Sequence, residues 1–95
     1  MTQPYEALYQ ILSDAYDQSE TGKGSERHGN GQPWTQQPIL TITRDVGLGF
    51  PTGQAIKKTI EAIGMVDREQ HVAAERELLG AIVYLAGAIQ WIREQ

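Results

Sequence analysis

The sequence contains no cysteine, so neither disulfide bonds nor thiolate metal sites can stabilise the fold. Two domains in 95 residues would each be too short to bury a core without such supports, so we expect residues 1–95 to form one domain. The same absence leaves the redox compartment undetermined. A domain of this size buries only about two thirds of the surface that its unfolded chain exposes, which predicts self-association.

Positive charge is scarce. Eight Lys and Arg residues against twelve Asp and Glu residues give a formal net charge of −4. A negative protein is repelled at long range by nucleic-acid backbones and by anionic lipids. We therefore expect no DNA partner.

Long apolar runs are also missing. The most apolar stretch, residues 78–89, has twelve residues and is bracketed by charged ones, whereas a membrane-spanning helix needs about 20. Residues 1–6 (MTQPYE) have no basic region before an apolar run, so no signal peptide is expected. These features predict a cytoplasmic protein with no membrane role.

The apolar pattern predicts an all-α fold with an N-terminal helix, one or two short central helices and a long C-terminal helix. The first helix runs from Pro4 to about Glu20, and a glycine-rich loop covers about 22–37. Residues 38–46 fit a strand or a helix opened by proline, and we predict a helix. A second breaker cluster at 47–53 precedes a short helix that carries apolar residues from Ala55 to Ile63 and is closed by Gly64.

The final helix is predicted over about 68–94, with Asp67 as its cap. Apolar residues at alternating four- and three-residue steps form a seam that is predicted to face the core: Leu78, Ile82, Leu85, Ile89 and Ile92. Small residues repeat every seven positions in two adjacent stripes: Ala73, Gly80, Gly87 and Ala74, Ala81, Ala88. Because small residues allow close helix approach, these stripes predict contact with a second subunit in a symmetric oligomer.

Catalytic and metal-binding patterns are not recognisable in the sequence. The two histidines, His28 and His71, are far apart and lack neighbouring ligands or an oriented nucleophile. Glu75 and Glu77 are two residues apart, so they do not form the carboxylate pattern of helical nucleotide hydrolases. We expect a protein that is not an enzyme and uses no catalytic residue, metal or cofactor.

The glycine-rich loop is instead a candidate anion site. Lys23, Gly24, Ser25 and Arg27 supply backbone N–H groups, a hydroxyl and two cations, which suit a phosphodiester. The preceding helix carries Tyr5, Tyr9 and Tyr16 on one broad face, and tyrosine rings can stack on bases. Such tyrosines serve equally well as core or interface residues.

Four runs in this order resemble one phage family: residues 22–28 (GKGSERH), 36–39 (QQPI), 53–58 (GQAIKK) and 77–84 (ELLGAIVY). The chain resembles the anti-CBASS protein 2 family of cyclic-oligonucleotide sponges. The resemblance implies a helical hexamer in the cytoplasm of the bacterial host. It also implies capture, without cleavage, of the cyclic dinucleotides and trinucleotides of CBASS immunity, such as 3′,3′-cyclic GMP–AMP and cyclic tri-adenylate.

In that family a tyrosine of the first helix stacks on the ligand bases, and a lysine of the following loop contacts phosphate. Lys23 matches the lysine, with Ser25 at a neighbouring hydroxyl position, and Tyr9 is our choice for the stacking ring, although Tyr5 and Tyr16 remain open. The family's trinucleotide pocket also uses an arginine, for which the candidates are Arg27, Arg68 and Arg76. The alternative interpretation is a non-enzymatic helical adaptor that binds a host protein.

Overall fold

The computed structural model describes residues 4–21 and 31–95, and within these ranges the secondary structure is entirely helical. The helices are α1 (Glu6–Thr21), α2 (Pro38–Val46), α3 (Gly49–Asp67) and α4 (His71–Arg93), with a short 3₁₀ helix at Trp34–Gln36. Helix α4 contacts the other three helices and packs most extensively against α3. The predicted all-α fold is confirmed, as is the helix at 38–46.

Helix α3 corrects the prediction of a short central helix after a breaker cluster at 47–53. It has 19 residues and begins at Gly49. Pro51 lies in its first turn, where the missing N–H would have no helical partner in any case. Two residues, Gly47 and Leu48, separate α2 from α3. Gly47 has φ +91°, and its N–H donates to the Thr43 carbonyl at 2.7 Å. Gly64 does not close α3, because it lies inside the helix.

The turn between α3 and α4 differs from the predicted cap. Asp67 is the last residue of α3, and α4 begins three residues later than Arg68, at His71. The N–H of Gln70 donates to the Met65 carbonyl at 2.8 Å, and that of Glu69 donates to Val66 at 2.9 Å. This is the Schellman arrangement, with Glu69 at the left-handed position (φ 59°) that glycine usually occupies.

The core is built mainly from small residues. Its buried apolar members are six alanines and two leucines: Ala15, Ala55, Ala62, Ala74, Ala81, Ala88, Leu40 and Leu79. An added Cβ at Gly87 would lie 3.1 Å from Ile39 Cγ1 of α2, and one at Gly80 would lie 3.2 Å from Lys58 Cδ of α3. The small-residue stripes therefore allow close approach of helices within the same chain.

This arrangement reverses the faces that were predicted for α4. The residues predicted to face the core are about half exposed at Leu78, Leu85, Ile89 and Ile92, and half-buried at Ile82. In the stripes predicted to meet another subunit, Gly80 faces Lys58 of α3 and Gly87 faces Ile39 of α2, and Ala74, Ala81 and Ala88 are buried within the protomer. The predicted core face was wrong because periodicity marks a face as apolar without determining which neighbour covers it.

Polar side chains connect the helices at two places. Arg44 of α2 donates two hydrogen bonds to Glu94, at 2.8 and 2.9 Å, and so joins α2 to the end of α4. The Nζ atom of Lys58 on α3 lies 3.6 Å from Oε2 of Glu77 and 5.8 Å from the centre of the Tyr84 ring, and both of these residues belong to α4. No helix in the described ranges is both long and apolar enough to span a membrane.

Candidate functional site

A cleft of about 610 Å³ opens between the second half of α1, residues 31–37 and the middle of α4. This volume falls within the range of about 300–1,000 Å³ that is typical of small-molecule sites. Its lining is mostly apolar, with polar groups at a few positions: Leu12, Ala15, Tyr16, Ser19, Glu20, Gly31, Gln32, Trp34, Gln37, Ile82, Val83 and Ala86.

Helix α1 forms one wall of the cleft and is held against α4 at two points. Ala15 is buried at the helix contact, and the Gln18 side-chain amide donates to the Arg76 carbonyl at 3.0 Å. These contacts fix the turn that carries Tyr16, Ser19 and Glu20. Ala15 also lines the cleft, together with these three residues.

The second wall is residues 31–37, whose shape depends on local hydrogen bonds. The Gln37 side-chain amide donates to the Gln32 carbonyl at 2.9 Å, and the backbone N–H of Gln37 donates to the Trp34 carbonyl at 3.1 Å. The resulting 3₁₀ turn places the indole of Trp34 on the cleft, half-buried. Each wall of the cleft therefore contributes one aromatic residue to the lining, Tyr16, which is 65% exposed, and Trp34.

The electrostatics of the described lining are acidic. The negative charge of Glu20 raises the pKa of the Tyr16 hydroxyl, so this phenol stays protonated at neutral pH and can donate a hydrogen bond. Neither Lys nor Arg occurs among the described lining residues. An anionic ligand here would need cations from outside this set of residues.

The predicted site residues occupy different places. Lys23, Gly24, Ser25 and Arg27 lie outside the described residues. Tyr9 is 71% exposed on α1 and does not line the cleft, whereas Tyr16, which the sequence left open as a stacking ring, does. Arg76 is exposed on α4, and Arg68 follows the end of α3.

Sequence reasoning gave no ligand role to Trp34. The available signal was a lone tryptophan directly after the glycine-rich segment, and it did not indicate that the side chain would face α1. The described residues on either side of the segment 22–30 also meet here, because Glu20 and Gly31 both line the cleft. The cleft is thus adjacent in sequence to the predicted anion-binding loop.

In the described part of the chain, no three His, Asp or Glu side chains are grouped so as to hold a metal ion. Comparison with protein-family models finds no matching family, and comparisons with curated proteins and with solved structures find no similar chain.

Proposed function

We propose that the protein binds cyclic dinucleotides and cyclic trinucleotides and sequesters them without cleaving them. The observation that carries this proposal is the cleft bounded by Tyr16 and Trp34. An apolar cleft with an aromatic ring on each side suits flat bases, and stacking of one base on one ring contributes about 1–3 kcal/mol.

The phosphates are assigned to the loop that joins the two walls. Lys23 follows Glu20 of the cleft lining by three residues in the sequence. Because the described lining contains a carboxylate and no cation, two phosphates need the charges of Lys23 and Arg27 to bind. In this proposal the bases bind in the cleft and the phosphates bind to the loop residues.

The proposal includes assembly into a homo-oligomer, which the family resemblance implies to be a hexamer in the bacterial cytoplasm. Large apolar side chains exposed on three helices support assembly, because such surface is unusual on a monomer. These side chains include Tyr5, Leu8 and Tyr9 of α1, Ile56, Ile60 and Ile63 of α3, and Leu78, Leu85, Ile89 and Ile92 of α4.

The test is isothermal titration with 3′,3′-cyclic GMP–AMP and, separately, with cyclic tri-adenylate. We expect tight binding, and chromatography of the ligand released by heat should recover it unaltered. Lys23→Ala should weaken binding about 10- to 150-fold, which is the loss of one charge-assisted hydrogen bond. An unchanged affinity of Lys23→Ala for both ligands would contradict the assignment of the phosphates to the loop. Light scattering of the same samples measures the number of protomers in the oligomer.

The stacking ring is identified by comparing alanine substitutions of Tyr5, Tyr9 and Tyr16. The lining favours Tyr16, whereas the family resemblance favours Tyr9. Trp34→Ala should cost about 5- to 150-fold in affinity, and Trp91→Ala, which changes a tryptophan outside the cleft, is its control.

An adaptor that binds a host protein is the second candidate, favoured by the exposed apolar faces. The absence of heat and of ligand retention with both nucleotides would leave the adaptor as the better interpretation.

A further inference from the structure

The outward face of α4 carries a regular apolar strip, which we call the α4 seam: Leu78, Ile82, Leu85, Ile89 and Ile92. Four of its side chains are 44–55% exposed, although α4 is in contact with all three other helices. The contacts of α4 with α3 and α2 lie on another side of the helix, where Gly80 faces Lys58 and Gly87 faces Ile39. Helix α1 lies on a third side, where Ile82 of the seam lines the cleft. Four seam residues, Leu78, Leu85, Ile89 and Ile92, therefore stay about half exposed after the protomer has packed its own helices, and Ile82 lies at the edge of the strip beside the cleft.

The steps of the α4 seam are those of a coiled coil. Spacings of four, three, four and three residues place isoleucine at both a positions, Ile82 and Ile89, and leucine or isoleucine at the d positions. Apolar residues at successive a and d positions form the seam along which the helices of a coiled coil pair. A seam of this kind is complementary to itself, as an isologous two-fold interface requires.

We propose that the α4 seam pairs with the same seam of a second copy in antiparallel orientation. In this register Ile82 lies opposite Leu85 of the second copy, and Leu78 lies opposite Ile89 of the second copy. The inference rests on the homo-oligomer of the proposed function, but pairing of the seam needs no ligand, so self-association and nucleotide binding are measured separately.

The direction follows from the charges at the two ends of the seam. Glu75 is seven residues before Ile82 and so occupies the preceding a position, at the N-terminal end of the seam. Arg93 directly follows Ile92 at the C-terminal end. Both are exposed, and neither takes part in an ion pair among the described residues. Parallel pairing would place Glu75 against Glu75. Antiparallel pairing places each Glu75 beside Arg93 of the second copy, giving two ion pairs.

The size of the contact sets the strength that is expected. From Glu75 to Arg93 the helix rises about 27 Å, and a strip about 10 Å wide covers about 270 Å² on each copy. A standard stable interface uses about 800 Å² on each partner. The seam by itself therefore gives a weak, reversible pair, and stable assembly needs additional apolar surface such as the exposed isoleucines of α3.

The charge assignment is tested by reversal and exchange. Glu75→Arg and Arg93→Glu should each raise the dissociation constant in sedimentation velocity by about 5-fold or more. The double variant E75R/R93E should return it to within about 2-fold of the wild-type value. Asp67→Arg makes the same charge change as Glu75→Arg outside the seam, and it should leave association unchanged. Circular dichroism checks that each variant is folded.

Direction and register are tested by cross-linking, since the chain has no cysteine of its own. The double variant L78C/I89C should form covalent dimers on mild oxidation, whereas Leu78→Cys and Ile89→Cys alone should not. Cross-linking by the single variants would indicate parallel pairing and overturn the proposal. If E75R/R93E associated no more tightly than Glu75→Arg or Arg93→Glu alone, that result would also overturn the proposal.

Discussion

Two glycines of α4 provide a sharp test of how the small-residue stripes are used. Gly87→Ala would place a Cβ 3.1 Å from Ile39 Cγ1 and 3.2 Å from its Cδ1, and Gly80→Ala would place one 3.2 Å from Lys58 Cδ. The distances are similar, but the two neighbouring side chains differ in their mobility. The γ carbon of a helical isoleucine is fixed by its single preferred χ1 rotamer, whereas the end of a lysine side chain moves freely.

The magnitudes follow from this difference in mobility. Both substitutions gain about 1 kcal/mol of helix propensity, because both glycines lie inside α4. At Gly87 the rigid contact adds an overpacking cost of about 1–3 kcal/mol, whereas at Gly80 the lysine moves aside at little cost. Because the propensity gain is common to both, we expect Gly87→Ala to be less stable than Gly80→Ala by about 1–3 kcal/mol.

The assay is chemical denaturation of both variants at one protomer concentration, followed by circular dichroism. In thermal unfolding each kcal/mol corresponds to about 4–8 °C for a domain of this size. Equal stability of the two variants, or greater stability of Gly87→Ala, would refute the packing of α2 against this glycine. Loss of association by both variants with unchanged unfolding of the protomer would instead place the stripes at a subunit interface.

Two further predictions concern the ends of helices. Arg44 lowers the pKa of Glu94 to about 2, so the contribution of Glu94 to stability is present above its unfolded pKa of about 4.5 and is lost as pH falls towards 2. Glu94→Gln should therefore narrow the difference in melting temperature between pH 7 and pH 3, and an unchanged difference would contradict the ion pair. Glu69→Gly should stabilise the protein by about 1 kcal/mol, because glycine adopts the left-handed conformation without steric cost. A destabilised Glu69→Gly in denaturant titration would argue against the Schellman turn.

The helices that the sequence predicted well are those with clear periodicity and flanking signals. Helix α1 was found within about two residues of its ends, and Pro38 correctly favoured a helix over a strand at α2. Helix α3 was shortened because Gly49, Pro51 and Gly53 act as breakers in most contexts. A proline within the first turn costs a helix almost nothing, and contact with α4 outweighs the weak propensity of the glycines.

The candidate site was less accessible to sequence reasoning, because it depends on contacts between distant segments. Tyr16 was one of three open choices along α1, and only the packing of Ala15 against α4 distinguishes its position from those of Tyr5 and Tyr9. Trp34 reaches the cleft through a 3₁₀ turn that no local pattern predicted. The loop residue Lys23 and its neighbours stay predictions, as do the ligand and the oligomer number.

The composition of the core leads to a final prediction about the isolated protomer. Among the described residues, the buried apolar side chains are six alanines and only two leucines, whereas many larger ones are exposed. Burial of an alanine contributes much less than burial of a leucine, so the protomer has little hydrophobic stabilisation of its own. If assembly supplies the remainder, unfolding is coupled to dissociation and depends on concentration.

For a dimer whose unfolding is coupled to dissociation, a tenfold increase in protein concentration raises the apparent free energy of unfolding by about 1.4 kcal/mol per dimer, or about 0.7 kcal/mol per protomer. We therefore expect the melting temperature to rise by about 3–6 °C for each tenfold increase in concentration. Calorimetry over a hundredfold concentration range measures this slope, with E75R/R93E as the folded, associating control and Glu75→Arg as the weakened one. A melting temperature independent of concentration would mean that the alanine-rich core is sufficient by itself and that the exposed apolar faces have another purpose.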